Sequence, residues 1–259
     1  MPGKVIRRLK PEEEELLRKR EELATVRATL AERELELVDL RSQLAVFEGR
    51  YLRQVGTLYA ELDEWRARIA ELQARLAPSA ASSAQAEEAR EQARRAYDDA
   101  HGKASETHDF TPSPELRRVY REAAKRIHPD FATDAADLER RTRFMAAANH
   151  AYEAGDADAL QCVLDEYEDG AEAVKGEGVG AELIRIIRQI SLAKTRVSDI
   201  ERELAALRKS EIALLKKRAE EKQREGRDLL AELAAAVREQ IELAKKQYEA
   251  LAKREAESA

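Results

Sequence analysis

One cysteine, Cys162, is too few for an internal disulfide, and its setting among Leu160, Val163 and Leu164 predicts a buried packing role rather than reactivity. Histidines at 101, 108, 128 and 150 offer no spaced set of metal ligands with it, so no metal or other cofactor is expected. No apolar run approaches membrane-spanning length and the amino-terminal stretch has no signal-peptide pattern, so no membrane partner is expected and the location is read as cytoplasmic. Aromatic residues make up 5% of the 259, beside six prolines and ten glycines, which fits a mostly helical chain without a large compact core. An excess of basic charge is also missing, because 52 acidic residues outnumber 46 basic ones for a net charge of -6. Lys4, Arg7, Arg8 and Lys10, or Lys216, Lys217 and Arg218, would have to carry any nucleic-acid binding. Their acidic neighbours make solvated helix faces the better reading, so no nucleic-acid partner is expected.

What the chain has in quantity is heptad pattern. Stepping by seven from Leu16 gives Leu23, Leu30, Leu37, Leu44, Tyr51, Leu58, Trp65 and Leu72, all apolar, which predicts a coiled-coil seam. Its companions shift from Leu40 and Phe47, three residues after the series, to Val55, Leu62, Ile69 and Leu76, four after it. That change near Tyr51 is a stutter, expected to relax the supercoil locally. A second seam runs through Leu183, Ile186, Ile190, Ala193, Val197, Ile200, Leu204 and Leu207. It weakens across 209–228, where Gly226 reads as a joint, and revives at Leu230, Leu233, Val237, Ile241, Ala244, Tyr248 and Leu251. Residues 11–76 and 181–251 would each make about 100 Å of helix at about 1.5 Å per residue. Pairing within one chain as an antiparallel hairpin is the first expectation, and self-association through the coiled coil the second, since heptads alone do not fix strand order or partner.

Between the arms lies a basic amphipathic segment. Leu116, Val119, Tyr120, Ala123, Ala124 and Ile127 recur at helical spacing and predict one buried face. Arg117, Arg118, Arg121, Lys125 and Arg126 against Glu115 and Glu122 leave the helix three charges positive in an acidic chain, which points to an acidic partner. Ser113 is placed to cap this helix and Pro114 to open it, and Pro129 ends it after Ile127, presenting His128 and Asp130 at a sharp, exposed turn. A second helix is predicted over 134–154, capped by Thr133, with Leu138, Met145, Ala148, Ala151 and Tyr152 facing inward. Asp156 opens a third, with Leu160, Val163, Leu164 and Tyr167 buried, until Asp169-Gly170.

Over 112–170 these features resemble the J domain of the DnaJ-type co-chaperone family. In that family a basic helix, a His-Pro-Asp loop and an antiparallel helix ending in Ala-Tyr engage a DnaK-type ATPase chaperone. Leu116, Tyr120, Ala124 and Ile127 match the inward positions of the first of these helices, and Arg117, Arg118, Arg121 and Arg126 its basic face. Ala151-Tyr152 matches the end of the second, and Met145 stands where the family usually has phenylalanine. The resemblance implies that the four arginines attract and orient an acidic surface while His128 and Asp130 make the contacts that trigger hydrolysis, with Pro129 holding the turn. Three departures accompany it. Glu122 replaces a usually basic residue, which implies weaker attraction. The loop through Phe131, Ala132, Thr133 and Asp134 is longer than usual, where family members tend to be basic. The family's opening helix has no counterpart before Ser113, so another element must cover the apolar face, and 84–100 is the candidate.

The predicted fold class is therefore all-α, a long antiparallel coiled-coil hairpin carrying a small helical J-like domain. The expected order is an arm (1–78), a linker with a short helix (79–110), the J-like domain (111–170), a glycine-rich hinge (171–180) and a second arm (181–259). The first functional expectation is a co-chaperone, not an enzyme, that engages a DnaK-type ATPase chaperone through His128, Pro129, Asp130, Arg117, Arg118, Arg121 and Arg126, with the arms binding a client or an assembly. The competing expectation is a structural or interaction scaffold with a non-stimulatory J-like tip.

Overall fold

The computed structural model describes residues 10–102, 111–169 and 178–258. Lys4, Arg7 and Arg8, the stretch 103–110 and most of the glycine-rich hinge, 170–177, lie outside the described residues. Every described element is helical: α1 (Pro11–Tyr51), a π-helical turn (Leu52–Gly56), α2 (Thr57–Leu76), α3 (Ala80–Gly102), α4 (Pro114–Ile127), a 3-10 turn (Pro129–Phe131), α5 (Ala135–Glu153), α6 (Ala157–Asp169), α7 (Val179–Arg208), α8 (Glu211–Arg224) and α9 (Leu229–Ser258). The all-α expectation holds. No described helix is long and apolar enough to cross a membrane. Packing divides the chain into two units, one joining α1 up to Gln43 with α4 to α7, the other joining the rest of α1 with α2, α3, α8 and α9.

In the first unit the predicted seams meet. Leu16, Leu23, Leu30 and Leu37 of α1 pack with Ile186, Ile190, Ala193, Ile200 and Leu204 of α7. Each leucine or isoleucine among them contributes roughly 1.5–3 kcal/mol on burial. The direction of pairing differs from the antiparallel expectation. Arg20 meets Glu182 at 2.6 Å, Glu22 meets Lys194 at 2.7 Å, Arg41 meets Glu203 at 2.6 Å, and Glu36 meets Arg208. Numbers on the two helices rise together, so α1 and α7 are parallel. A heptad records which face is apolar and nothing about direction, so the same seam residues serve a parallel pair as well as an antiparallel one.

Against α1 in the same unit lies the central module. Leu116, Val119, Tyr120, Ala123, Ala124 and Ile127 of α4 are buried with Phe144, Met145, Ala148, Ala151 and Tyr152 of α5 and Leu160, Leu164 and Tyr167 of α6. The Tyr120 and Tyr152 rings sit 4.8 Å apart. The fourth wall is not 84–100 but α1 itself, through Ala31, Leu35 and Val38. From Leu30 to Val38 this helix is buried on two sides, Leu30 and Leu37 toward α7 and the other three toward the module. The module lies along α1 rather than at the tip of a hairpin. Within it, α5 is capped by Asp134, whose carboxylate accepts from the Asp137 amide at 2.8 Å, rather than by Thr133. Leu138, expected inside, is 47% exposed, while Phe144, outside the expected stripe, is buried. Cys162 is exposed, which corrects its expected burial.

Within the second unit the helix antiparallel to α2 is α3, not the carboxy-terminal arm. Residues 80–102, expected to be a linker with a short helix, form a 23-residue helix that runs back along α2, with Glu71 beside Arg90 and Asp63 beside Gln92. Helix α9 then packs parallel to α2: Glu61 meets Lys245, Trp65 stacks edge-on with Tyr248, and Arg75 meets Glu255 at 2.8 Å. Leu62 and Ile69 fill this seam with Val237, Ile241 and Ala244. The stutter near Tyr51 appears as the π turn at 52–56, which takes up the surplus residue locally and keeps Val55 buried beside Phe47 and Leu230. Gly226 ends α8 with φ 76°, a left-handed conformation that glycine adopts without strain, and Asp228 then caps α9.

Candidate partner-binding site

Helix α4 begins and ends where its sequence dictates. The Ser113 hydroxyl accepts from the Leu116 amide at 3.1 Å, Pro114 occupies the first turn, and Pro129 stops the helix after Ile127. Its carbonyl end is closed from α5, because Arg141 donates to the Arg126 carbonyl at 2.8 Å while its Nε bonds Asp137 at 2.8 Å. A cation there also opposes the helix dipole.

The basic residues of α4 divide between two faces. Arg117 and Arg121 turn toward α1, where Arg117 approaches Asp39 at 3.1 Å and Arg121 approaches Glu32 at 3.6 Å. The Arg117 Nε makes no well-directed hydrogen bond, so this is a charge contact. The same Asp39 carboxylate accepts from the Tyr152 hydroxyl. Arg118 and Arg126 lie on the outer face, their side chains 60% and 52% exposed, next to Glu115 and Glu122 of the same helix. Glu122, the acidic residue at a position expected to be basic, also takes Lys125 at 3.1 Å.

The turn is where the expectation of exposure fails. His128 is 3% exposed. Its Nδ1 accepts the Asp130 amide at 3.1 Å, which leaves the ring proton on Nε2, and Nε2 donates to Glu34 of α1 at 3.1 Å. Glu34 accepts a second bond from Arg196 of α7 at 2.8 Å. Pro129 lies in the 3-10 turn. Asp130 is partly buried, 3.7 Å from the His128 ring, and one of its carboxylate oxygens has no hydrogen-bond partner. Phe131 anchors the turn: it is 1% exposed, its ring enters the α1 and α7 seam beneath the Arg27 guanidinium at 4.4 Å, and its carbonyl accepts from Gln189 at 3.0 Å.

Two carboxyls at this node respond to burial in opposite ways. Burial opposes charge on Glu34, but hydrogen bonds from His128 and Arg196 outweigh it and hold the group below its ordinary value of 4.5. Burial, only partly offset by His128 and Arg196, raises the Asp130 carboxyl. By linkage the Glu34 contribution is complete above its unfolded-state value and is lost as pH falls through the lowered one, while the penalty on ionised Asp130 is relieved over the same descent. We therefore predict that Glu34→Gln is less stable than the wild type by about 1–3 kcal/mol near neutral pH, and that the gap closes below pH 4.5. Urea denaturation of both proteins across that range checks this, and a gap independent of pH would count against the role of Glu34.

The sequence residues are thus close together but do not form one outward surface. Arg117, Arg121 and His128 face inward to α1, Arg118 and Arg126 face solvent, and Asp130 sits between. Sequence reasoning missed Glu32, Glu34, Asp39, Phe131, Arg141, Gln189 and Arg196. Two signals were available: an aromatic residue, Phe131, in an otherwise polar loop, and the second apolar stripe Ala31, Leu35 and Val38 beside the heptad. Among the described residues no group of three or more His, Cys, Asp or Glu side chains is placed to hold a metal ion. Compared with family models, with curated proteins and with solved structures, the chain matches none.

Proposed function

We propose that the chain is a protein-protein interaction scaffold of paired helices, in which a J-like module is held inward and does not stimulate a DnaK-type chaperone ATPase in this conformation. The observation that carries the reading is His128, buried at 3% exposure with both ring nitrogens bonded inside the molecule. A turn that triggers hydrolysis in another protein has to offer its imidazole and carboxylate to that protein, and here Glu34 of α1 and the Asp130 amide already take the imidazole. The exposed sides of the paired helices are left to bind a client, an assembly or a second copy of the chain. No catalytic role is assigned.

The co-chaperone reading is favoured by a different observation, the outer face of α4, where Arg118, Lys125 and Arg126 remain solvent-facing with side chains 60%, 36% and 52% exposed. A steady-state ATPase assay with a purified DnaK-type chaperone separates the two. The scaffold reading expects rates within about twofold of basal for the wild type and for His128→Gln alike. Acceleration by the wild type that His128→Gln abolishes would overturn it.

A further inference from the structure

We infer that the carboxylate strip of α1, Glu32, Glu34 and Asp39, is a tethered competitor for the α4 face, an autoinhibitory contact that an acidic partner protein has to displace. The inference rests on the co-chaperone reading of that face. Each carboxylate meets one of the basic groups that the sequence offers to an acidic partner: Asp39 meets Arg117, Glu32 meets Arg121, and Glu34 meets His128. The occupant therefore has the charge of the partner. It also belongs to a helix whose Ala31, Leu35 and Val38 pack into the same module, so strip and apolar contact arrive together.

The hold is graded in a way that suits displacement. The Arg121 pair is long and open to solvent, with side chains 34% and 59% exposed, and such pairs are weak and screened by salt. The Glu34 node is buried and doubly bonded, with Phe131 beside it in the seam. A partner reaching α4 would replace Glu32 first, Asp39 next, and Glu34 with the turn last. Because the strip is attached to the same chain, it acts at an effective concentration on the order of millimolar, and the partner has to bring a larger or better-placed acidic surface.

The test is made on the full chain with Glu32→Gln, Glu34→Gln and Asp39→Asn combined, substitutions that keep shape and remove charge. Amide exchange at Asp130, Phe131 and Ala132 reports the turn, since these amides are bonded to His128 and Pro129 in the closed form. Binding to an ATP-loaded DnaK-type chaperone is measured in parallel. Exchange at least tenfold faster, together with at least tenfold tighter binding, is the expected result. Faster exchange with no binding by either the wild type or the variant overturns the competitor role and the co-chaperone reading with it. Unchanged exchange, with a wild type that already binds as strongly as the variant, overturns the competitor role and upholds the co-chaperone reading. Should the triple variant fail to fold, Glu32→Lys at the exposed end of the strip replaces it, with at least threefold tighter binding expected and no change overturning the proposal.

Discussion

Phe131→Ala is expected to destabilise the first unit by about 3–5 kcal/mol, the usual cost of emptying a buried aromatic site. That lowers its melting temperature by on the order of 10 °C. The ring is 1% exposed, sits among the α1 and α7 seam residues, and supports the Arg27 guanidinium. Its removal leaves a void in the apolar cluster that α1 and α7 share, which cannot close without moving one of the two helices. It also frees the His128 turn, whose remaining ties are polar. Phe131→Leu keeps most of the volume and should cost less than about 1.5 kcal/mol. Urea melts followed by circular dichroism measure both. A loss under about 1 kcal/mol for the alanine variant would mean that the seam closes without the ring, and that Phe131 is not what holds the turn inward.

The second large effect concerns the module taken alone. A fragment of residues 111–170 lacks Ala31, Leu35 and Val38, and with them the part of the module's apolar cluster that α1 supplies. It also lacks Glu34 and Asp39, which satisfy His128 and the Tyr152 hydroxyl. About sixty residues are marginal even with a complete core. The fragment is therefore expected to show helix well below that of α4 to α6 in the full chain, poorly dispersed amide resonances and no cooperative thermal transition. A fragment that melts cooperatively with the Tyr120 and Tyr152 contact intact would show that α1 is an accessory to the module rather than its fourth wall.

Several features were legible because they depend on neighbours in the chain. Ser113, Pro114 and Pro129 set the ends of α4, since capping and proline geometry act within one helical turn. Asp156 opens α6 for the same reason, its carboxylate accepting the Ala159 amide at 2.8 Å. A near-miss arose where two adjacent residues could serve, Asp134 capping α5 in place of Thr133; farther along the same helix Leu138 is exposed and Phe144 is buried. The stutter was visible as a change from three to four spacing, but its answer was not. A helix can respond by relaxing its supercoil or by a local π turn, and the packing of Val55 against Leu230 selects the second.

By itself the sequence determined an all-helical chain, the apolar seams of both arms, the buried face and the limits of α4, and the charge of its other face. All of these follow from periodicity and local backbone chemistry, which operate over a few residues. Only the tertiary structure decided that the arms pair parallel in each unit, that α1 completes the central module, and that His128 is bonded inside rather than shown to solvent. Those outcomes join residues about a hundred or more apart in the chain, as Glu34 joins His128 and Arg196. A heptad has no direction, and a glutamate in a helix has no mark of which basic group it will meet. Register and docking settle such pairings, and they exist only when the helices pack.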